Sequence, residues 1–363
     1  MEPLFRPELA RRNTSLIPRP GSLPRPTAAG TGDVAVVLNR NARGVTARRL
    51  GRLRALHPEG DLFLSESAEH SRRIAEEILV RGYGTALFGG GDGTFVRCLN
   101  DLWAASEQLG LPLPRLGVLP LGTGNALGHF LGLASPSPRG LLTELTRARD
   151  PRSLERPLSL LRVDGLLTPF AGTGLDSQIL EDYRRTSKTL DAIKIGALLA
   201  STVRYALAVA LCSVPRFVLR KLPQVEVVNV GGPAYAVLPD GQPDPTPLPR
   251  GTVLYRGPCT LAGAATIPCF GFGVRIFPFA HLLADKFQVR CTDASALEAL
   301  AHLPSVLRGD YRSPSLRDFY CDAVEIHVER PVPMQIGGDV LEQRRDFMRI
   351  EKAEHPVRIL SAT

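Results

Sequence analysis

Apolar positions along residues 34–119 fall into short β-type runs separated by stretches of helical period. "VAVVL" (34–38), "DLFLS" (61–65), "GTALF" (84–88) and "RLGVL" (115–119) predict strands, and the segments near 45–56, 69–81 and 94–108 predict helices. Parallel strands need crossover connections, and the favoured crossover is a helix, so this rhythm specifies a parallel sheet covered by helices. Such sheets bind ligands beyond the carboxyl ends of their strands. Three polar or glycine-rich loops occupy such ends: "NRNARG" from Asn39, "GGGDGT" from Gly89 and "PLGTGN" from Pro120.

The pattern changes in the second half. "LSLLRVDG", "TPFAGTGLDSQI", "VEVVNV", "TVLYRG" and "FQVRCTD" read as strands separated by turn residues, around one long helical region at 187–221. The longest apolar stretch starts at Ile195 and is broken by Arg204, Pro215 and Arg216. Its uncharged runs are too short to cross a hydrocarbon layer of about 30 Å. It predicts either a buried core helix or a helix whose basic flank (Arg204, Arg216, Arg220, Lys221) rests on an anionic membrane surface. Residues 1–31 are rich in Pro and Arg without an apolar period, which predicts a flexible arm outside the fold.

Composition narrows the class. With 363 residues, 44% of them hydrophobic and 22% charged, the chain suits a soluble protein of about two domains, each with its own core. The net charge of +8 is carried mostly by dispersed Arg, which favours phosphate, anionic lipid or nucleic acid as partners, or else marks a solvated Arg-rich surface. Nothing resembling a helix-turn-helix, a zinc module or an aromatic-basic surface supports nucleic acid. Cys98, Cys212, Cys259, Cys269, Cys291 and Cys321 are dispersed without C-x-x-C spacing, and no signal peptide opens the chain. The expectation is reduced thiols in a cytoplasmic protein without structural zinc. His129 and His281 lack ligand spacing and read as structural or surface residues.

The glycine loops carry the candidate chemistry. Gly89, Gly90, Gly91 and Gly93 lack Cβ atoms, so the backbone is expected to turn with positive φ and to bring N–H groups close to an anion, with the helix beginning near Thr94 pointing its positive end at the same spot. Asp92 beside a phosphate would need a role: holding Mg²⁺ through water, accepting a proton, or bonding a hydroxyl. As an alternative, the turn is a tight strand-to-helix connection with Asp92 as a helix cap. Gly122, Thr123, Gly124 and Asn125 form a second such loop before the amphipathic "NALGHFLGL", and two of these loops in one sheet suggest two sides of one phosphate-bearing ligand. Neither loop fits the Walker pattern or the G-x-G-x-x-G dinucleotide fingerprint.

With "GGGDGT" at 89–94, "PLGTGN" at 120–125 and "LNRNARG" before them, the sequence resembles the diacylglycerol kinase catalytic family, which includes bacterial lipid kinases, sphingosine kinases and ceramide kinases and shares a nucleotide loop with the NAD kinases. Arg40 stands where the family commonly has Pro. The resemblance implies an α/β architecture of two domains. A Rossmann-like parallel-sheet nucleotide domain would span 32–156 and a β-rich, sandwich-like lipid-binding domain 157–340, with 341–363 returning to the first. ATP and lipid would meet in the cleft between them. It implies nucleotide contacts from Asn39, Asn41, Gly44, Ser65, Gly89, Gly90, Gly91, Gly93, Thr94, Gly122, Thr123, Gly124 and Asn125. The family's Gly-Phe-Asp appears as Gly174-Leu175-Asp176, so Asp176 would face the lipid head group, or else serve as a turn residue.

The family's structural Mg²⁺ loop appears as "FPFAHLLADKFQV", which implies Asp285 as metal ligand with the carbonyls of Leu282 and Phe287, although Lys286 stands where Gly is usual. Its Asp-Gly-Glu appears within "MQIGGDVLEQR", so Asp339 would be the proton acceptor; read without the resemblance, "IGGDV" is a hairpin turn. The implied function is an ATP- and Mg²⁺-dependent lipid kinase at the inner membrane surface, acting on a diacylglycerol-like or sphingoid hydroxyl. The alternatives are an NAD kinase-like enzyme, disfavoured by "PLGTGN", and a non-catalytic nucleotide or lipid sensor. The sensor is motivated by Lys286, by Gly337 where Asp is frequent, and by the Pro- and Gly-rich insertion 231–273, which would reshape the lipid entrance.

Overall fold

The computed structural model describes residues 34–42, 44–57, 62–122, 124–174, 177–178, 180–181, 221–295, 298 and 301–363. The arm 1–31, the helical region 187–220, Thr123, Asp176 and Cys212 lie outside the described residues. The chain divides into two compact units, one joining 21–160 with 269–275 and 354–363, the other joining 161–268 with 276–353.

The first unit follows the hydrophobic rhythm: β1 (Val34–Asn39), α1 (Ala47–Leu56), β2 (Leu62–Ser65), α2 (Ala68–Val80), β3 (Thr85–Gly90), α3 (Asp92–Leu109), β4 (Arg115–Pro120), α4 (Ala126–Phe130), α5 (Pro138–Arg149) and β5 (Glu155–Leu158). Helix starts are set by local chemistry. The hydroxyls of Thr46, Ser67 and Ser137 accept the N–H groups of Arg49, His70 and Gly140 at the starts of α1, α2 and α5. The sheet order is β2-β1-β3-β4, then the chain's last strand Val357–Leu360, then β5. The first four strands and the last one are parallel, and only β5 is antiparallel. Val36, Leu38, Leu87 and Leu119 from the strands pack with Leu53, Leu141 and Leu145 from the helices into one core.

The second unit is a pair of antiparallel sheets. Its strands are β6 (Leu161–Val163), β7 (Leu166–Thr168), β8 (Phe170–Gly174), β9 (Gln224–Asn229), β10 (Tyr235–Ala236), β11 (Val253–Pro258), β12 (Leu261–Ala265), β13 (Phe287–Thr292), β14 (Leu316–Cys321), β15 (Ala323–Val332), β16 (Met334–Ile336), β17 (Asp339–Val340) and β18 (Arg345–Lys352), with a short helix α6 (Leu303–Arg308). The orders are β10-β14-β13-β12-β8-β16-β17 and β11-β9-β15-β18-β6-β7. Val225, Val227, Ile326 and Ile350 from the second sheet meet Ala262, Ala264, Phe287, Val289 and Phe319 from the first in a shared core. The turn toward the first unit comes after β18, which pairs inside the second unit, so residues 354–363 make the return to the first sheet as its penultimate strand (β19).

The five described cysteines are buried and unbridged. Among the described residues no helix is long and apolar enough to cross a membrane.

Candidate active site

The three loops at the carboxyl ends of β1, β3 and β4 converge in the first unit. Asn39 Nδ2 donates to Thr94 Oγ1 at 3.1 Å, linking the first loop to the second, while Asn39 Oδ1 accepts the Asn41 N–H at 2.9 Å. Ser65 at the end of β2 joins through its carbonyl, which accepts the Arg40 N–H at 3.0 Å. Arg40 itself forms an ion pair with Glu66.

The glycines serve a purpose other than the expected one. Gly89, Gly90, Gly91, Gly93, Gly122 and Gly124 are absent from the positive-φ positions; among the described residues of these loops the left-handed one is Asn125, at φ 48 and ψ 44. What the glycines provide is room. A Cβ on Gly44 would lie 1.9 Å from the Leu121 carbonyl oxygen, and one on Gly122 would lie 2.3 Å from the Gly91 Cα. Three backbones therefore approach at distances that a side chain forbids. The strand also continues through Gly90, and α3 starts at Asp92, so Gly93 and Thr94 lie in its first turn. Their N–H groups precede the first intrahelical bond of α3, from Phe95 N–H to the Gly91 carbonyl at 3.1 Å, and stand at the positive end of an 18-residue helix.

Asp92 and Asn125 fix the third loop. Asp92 Oδ2 accepts the Ala126 N–H and Oδ1 the Leu127 N–H, both at 3.0 Å, so the first residue of α3 caps the first turn of α4. The cap alternative read from the sequence is realised across loops instead of within one helix. Asn125 closes its own loop twice: Oδ1 accepts the Gly122 N–H and Nδ2 donates to the Gly122 carbonyl, each at 2.9 Å. This is why an Asn tolerates the left-handed conformation here.

Burial lifts the Asp92 carboxyl above the ordinary carboxylate range, against the opposing pull of the Leu127 and Ala126 N–H groups. The native state thus holds this proton more readily than the unfolded chain does. Asp92 contributes most to stability below about pH 4 and less as pH rises through its native pKa. Asp92→Ala leaves two N–H groups without their acceptor and is expected to lower unfolding free energy by about 1–3 kcal/mol at neutral pH. Asp92→Asn keeps one acceptor oxygen and should lose less while removing the acid-side dependence. Urea titrations at pH 4 and pH 7 measure both effects.

Sequence reasoning missed a fourth loop. Residues 269–275, of which 269–273 were read above as the end of the insertion, belong to the first unit. They turn tightly at Gly271–Gly273, and a Cβ on Gly124 would lie 3.0 Å from the Gly271 Cα. His129 packs at Gly273, whose φ is +74°. The Gly-Phe-Gly string was the available signal, but its pairing with a loop nearly 150 residues earlier has no local signature. Arg275, in the same loop, is exposed.

The remaining predicted residues belong to the second unit. Asp339 leaves a two-residue hairpin in which Ile336 pairs with Asp339 and both Gly337 (φ 58) and Gly338 (φ 86) are left-handed, the type I′ geometry. Gly337 N–H anchors that turn to the Phe170 carbonyl at 2.9 Å. Asp285 is exposed, as is Leu282 at 49%, whereas Phe287 is fully buried in β13. Asp176 lies outside the described residues, but Thr173 and Gly174 just before it line a cavity of about 440 Å³ whose walls combine Val225, Cys259 and Val332 with Lys221, Arg330 and Arg344.

Comparison with known proteins agrees with this geometry. Residues 33–154 match the diacylglycerol kinase catalytic domain. Two proteins from strains of Pseudomonas aeruginosa, each named "Probable lipid kinase YegS-like", are 32% and 31% identical over 139 residues, which is 38% of this chain. The matched region spans 41% of those relatives' own length. The crystal structure of a diacylglycerol kinase from Bacillus anthracis str. Sterne superposes over 92% of this chain and 98% of its own, with a TM-score of 0.58 at 13% identity, which shows a common fold.

Proposed function

Because residues 33–154 match the diacylglycerol kinase catalytic domain, we propose that this protein is an ATP- and Mg²⁺-dependent lipid kinase that phosphorylates a hydroxyl of a diacylglycerol-like or sphingoid lipid at a membrane surface. The observation that carries the reading is the convergence of the three loops at the positive end of α3, where the Gly91–Gly122 approach leaves bare backbone for phosphate oxygens.

Transfer of a phosphoryl group asks the protein for position and charge more than for covalent chemistry. The first-turn N–H groups of α3 receive nucleotide phosphates. Asp92 and Asn125 hold the third loop rigid against them. A Mg²⁺ ion bound with the nucleotide would neutralise the developing phosphate charge. Asp92 is the residue that would hold it, through water, since each of its oxygens accepts one N–H and retains a lone pair. Asp339 accepts the proton of the lipid hydroxyl. The apolar walls and cationic residues of the 440 Å³ cavity suit a chain-bearing lipid.

The test is phosphorylation from radiolabelled ATP and Mg²⁺ in mixed micelles that present diacylglycerol, monoacylglycerol, phosphatidylglycerol, sphingosine or ceramide separately, with NAD as a soluble acceptor. Label in one lipid is the expected outcome. Label in NAD alone moves the protein to the NAD kinase-like reading, and ATP binding without label in any acceptor makes it a sensor.

A further inference from the structure

The resemblance to diacylglycerol kinases implies a structural Mg²⁺ at Asp285 with the carbonyls of Leu282 and Phe287. The residues do not build such a site. Hard divalent cations take six or more oxygen ligands at about 2.0–2.6 Å. Here the implied set offers one carboxylate, the exposed Asp285, and two carbonyls, and a cationic side chain directly follows that carboxylate in the chain. The residue next to Asp285 brings its own positive charge into the fold instead.

That residue is Lys286, whose side chain is only 9% exposed. Its ammonium donates to the Pro233 carbonyl at 2.9 Å and to Asp322 Oδ2 at 3.1 Å, and lies 6.0 Å from the centre of the Tyr235 ring. The other oxygen of Asp322 accepts the Gly232 N–H at 2.9 Å. The fit of this corner is close, for a Cβ on Gly231 would fall 1.8 Å from Asp322 Oδ1. Three segments distant in sequence therefore meet at one cation: the 231–235 turn, the start of β13 and the connection between β14 and β15. Charge balances as well, with one ammonium on one carboxylate and a carbonyl dipole completing the set.

We propose that Lys286 is the resident cation of the β-rich unit: its ammonium joins the 231–235 turn to Asp322, and the unit needs no structural Mg²⁺. Gly at position 286 would leave Asp322 and the Pro233 carbonyl facing each other without a counter-charge. The inference is independent of the catalytic reading, because it concerns the stability of the unit without nucleotide or lipid.

Thermal unfolding of the full chain without nucleotide tests it. The wild-type midpoint is expected to be the same in excess EDTA and in millimolar Mg²⁺. Lys286→Met keeps most of the apolar stem and removes the charge, and its midpoint should fall by about 3–6 °C. Lys286→Ala opens a lysine-sized space, and its midpoint should be raised by millimolar ethylammonium, which leaves wild type unmoved. Lys286→Arg retains the cation and guards against the neutral variants failing to fold; it should stay closer to wild type than Met does. A wild-type midpoint that drops in EDTA and recovers with Mg²⁺ overturns the proposal, and so does a Lys286→Met midpoint equal to wild type.

Discussion

Exchanging Asp339 for Asn is expected to lower lipid phosphorylation by about 10²–10⁴-fold, the usual contribution of a positioned general base, while the KM for ATP and the unfolding midpoint stay near wild type. The separation follows from where Asp339 stands. Its local shape is set by the type I′ turn, in which Gly337 and Gly338 take the two left-handed positions and the Ile336–Asp339 pair closes the strands. None of these backbone features needs a carboxylate, and Asn matches Asp in size and keeps one side-chain oxygen as an acceptor, so the hairpin is expected to form in the variant. What Asn cannot do is take a proton. Asp339→Glu restores the acid with one more methylene and should recover part of the rate, since the resembling kinases carry Glu at this position. Steady-state kcat and KM for both variants, beside their thermal midpoints, check the assignment. Turnover of Asp339→Asn above half of wild type would make Asp339 a turn residue only.

The first unit was legible because its signals are local. Apolar runs bounded by turns gave β1 to β4 within two residues, and the hydroxyl caps at Thr46 and Ser67 fall where the helical periods begin. The three functional loops could be named for the same reason. Their internal mechanics could not. Whether Gly91 is a glycine for its φ or for the nearness of Gly122 depends on a contact across 31 positions, and only the folded backbone shows that φ is ordinary and space is the constraint. Asp92 looked like a metal or proton residue by its company, yet its oxygens hold the N–H groups of Ala126 and Leu127. In the second unit several long strands went unread, among them β14, β15 and β18. β15 alternates buried Val324, Ile326 and Val328 with Glu325, His327 and Glu329, a strand period that is present in the sequence and was overlooked, whereas β18 opens on three exposed residues, Arg345 to Phe347, that hide its period. The same strands pair with partners far along the chain, which no window of sequence contains.

The largest effect on stability is expected at Asp318, in β14, which pairs with the β13 strand that directly follows Lys286. Asp318 Oδ1 accepts Arg290 Nε and Gln288 Nε2, and Oδ2 accepts Arg290 Nη2, all at 2.7 Å. The pair is nearly dry, with Arg290 6% and Asp318 10% exposed. Gln288, fully buried, passes the connection on: its Oε1 accepts the Phe279 N–H at 2.9 Å, which holds the beginning of the 279–287 loop to β13. Asp318→Ala would leave a guanidinium and an amide donor buried without their acceptor. Removing one member of such a pair destabilises by about 3–5 kcal/mol, which corresponds to a midpoint lower by roughly 10 °C for a unit of this size. Replacing both members, Arg290→Met with Asp318→Leu, removes the stranded charge along with the pair and should regain most of the loss. Urea unfolding of the single and double variants gives the comparison. A double variant no more stable than Asp318→Ala would mean that the carboxylate matters through its contact with Gln288 and the 279–287 loop, and not through the guanidinium it neutralises.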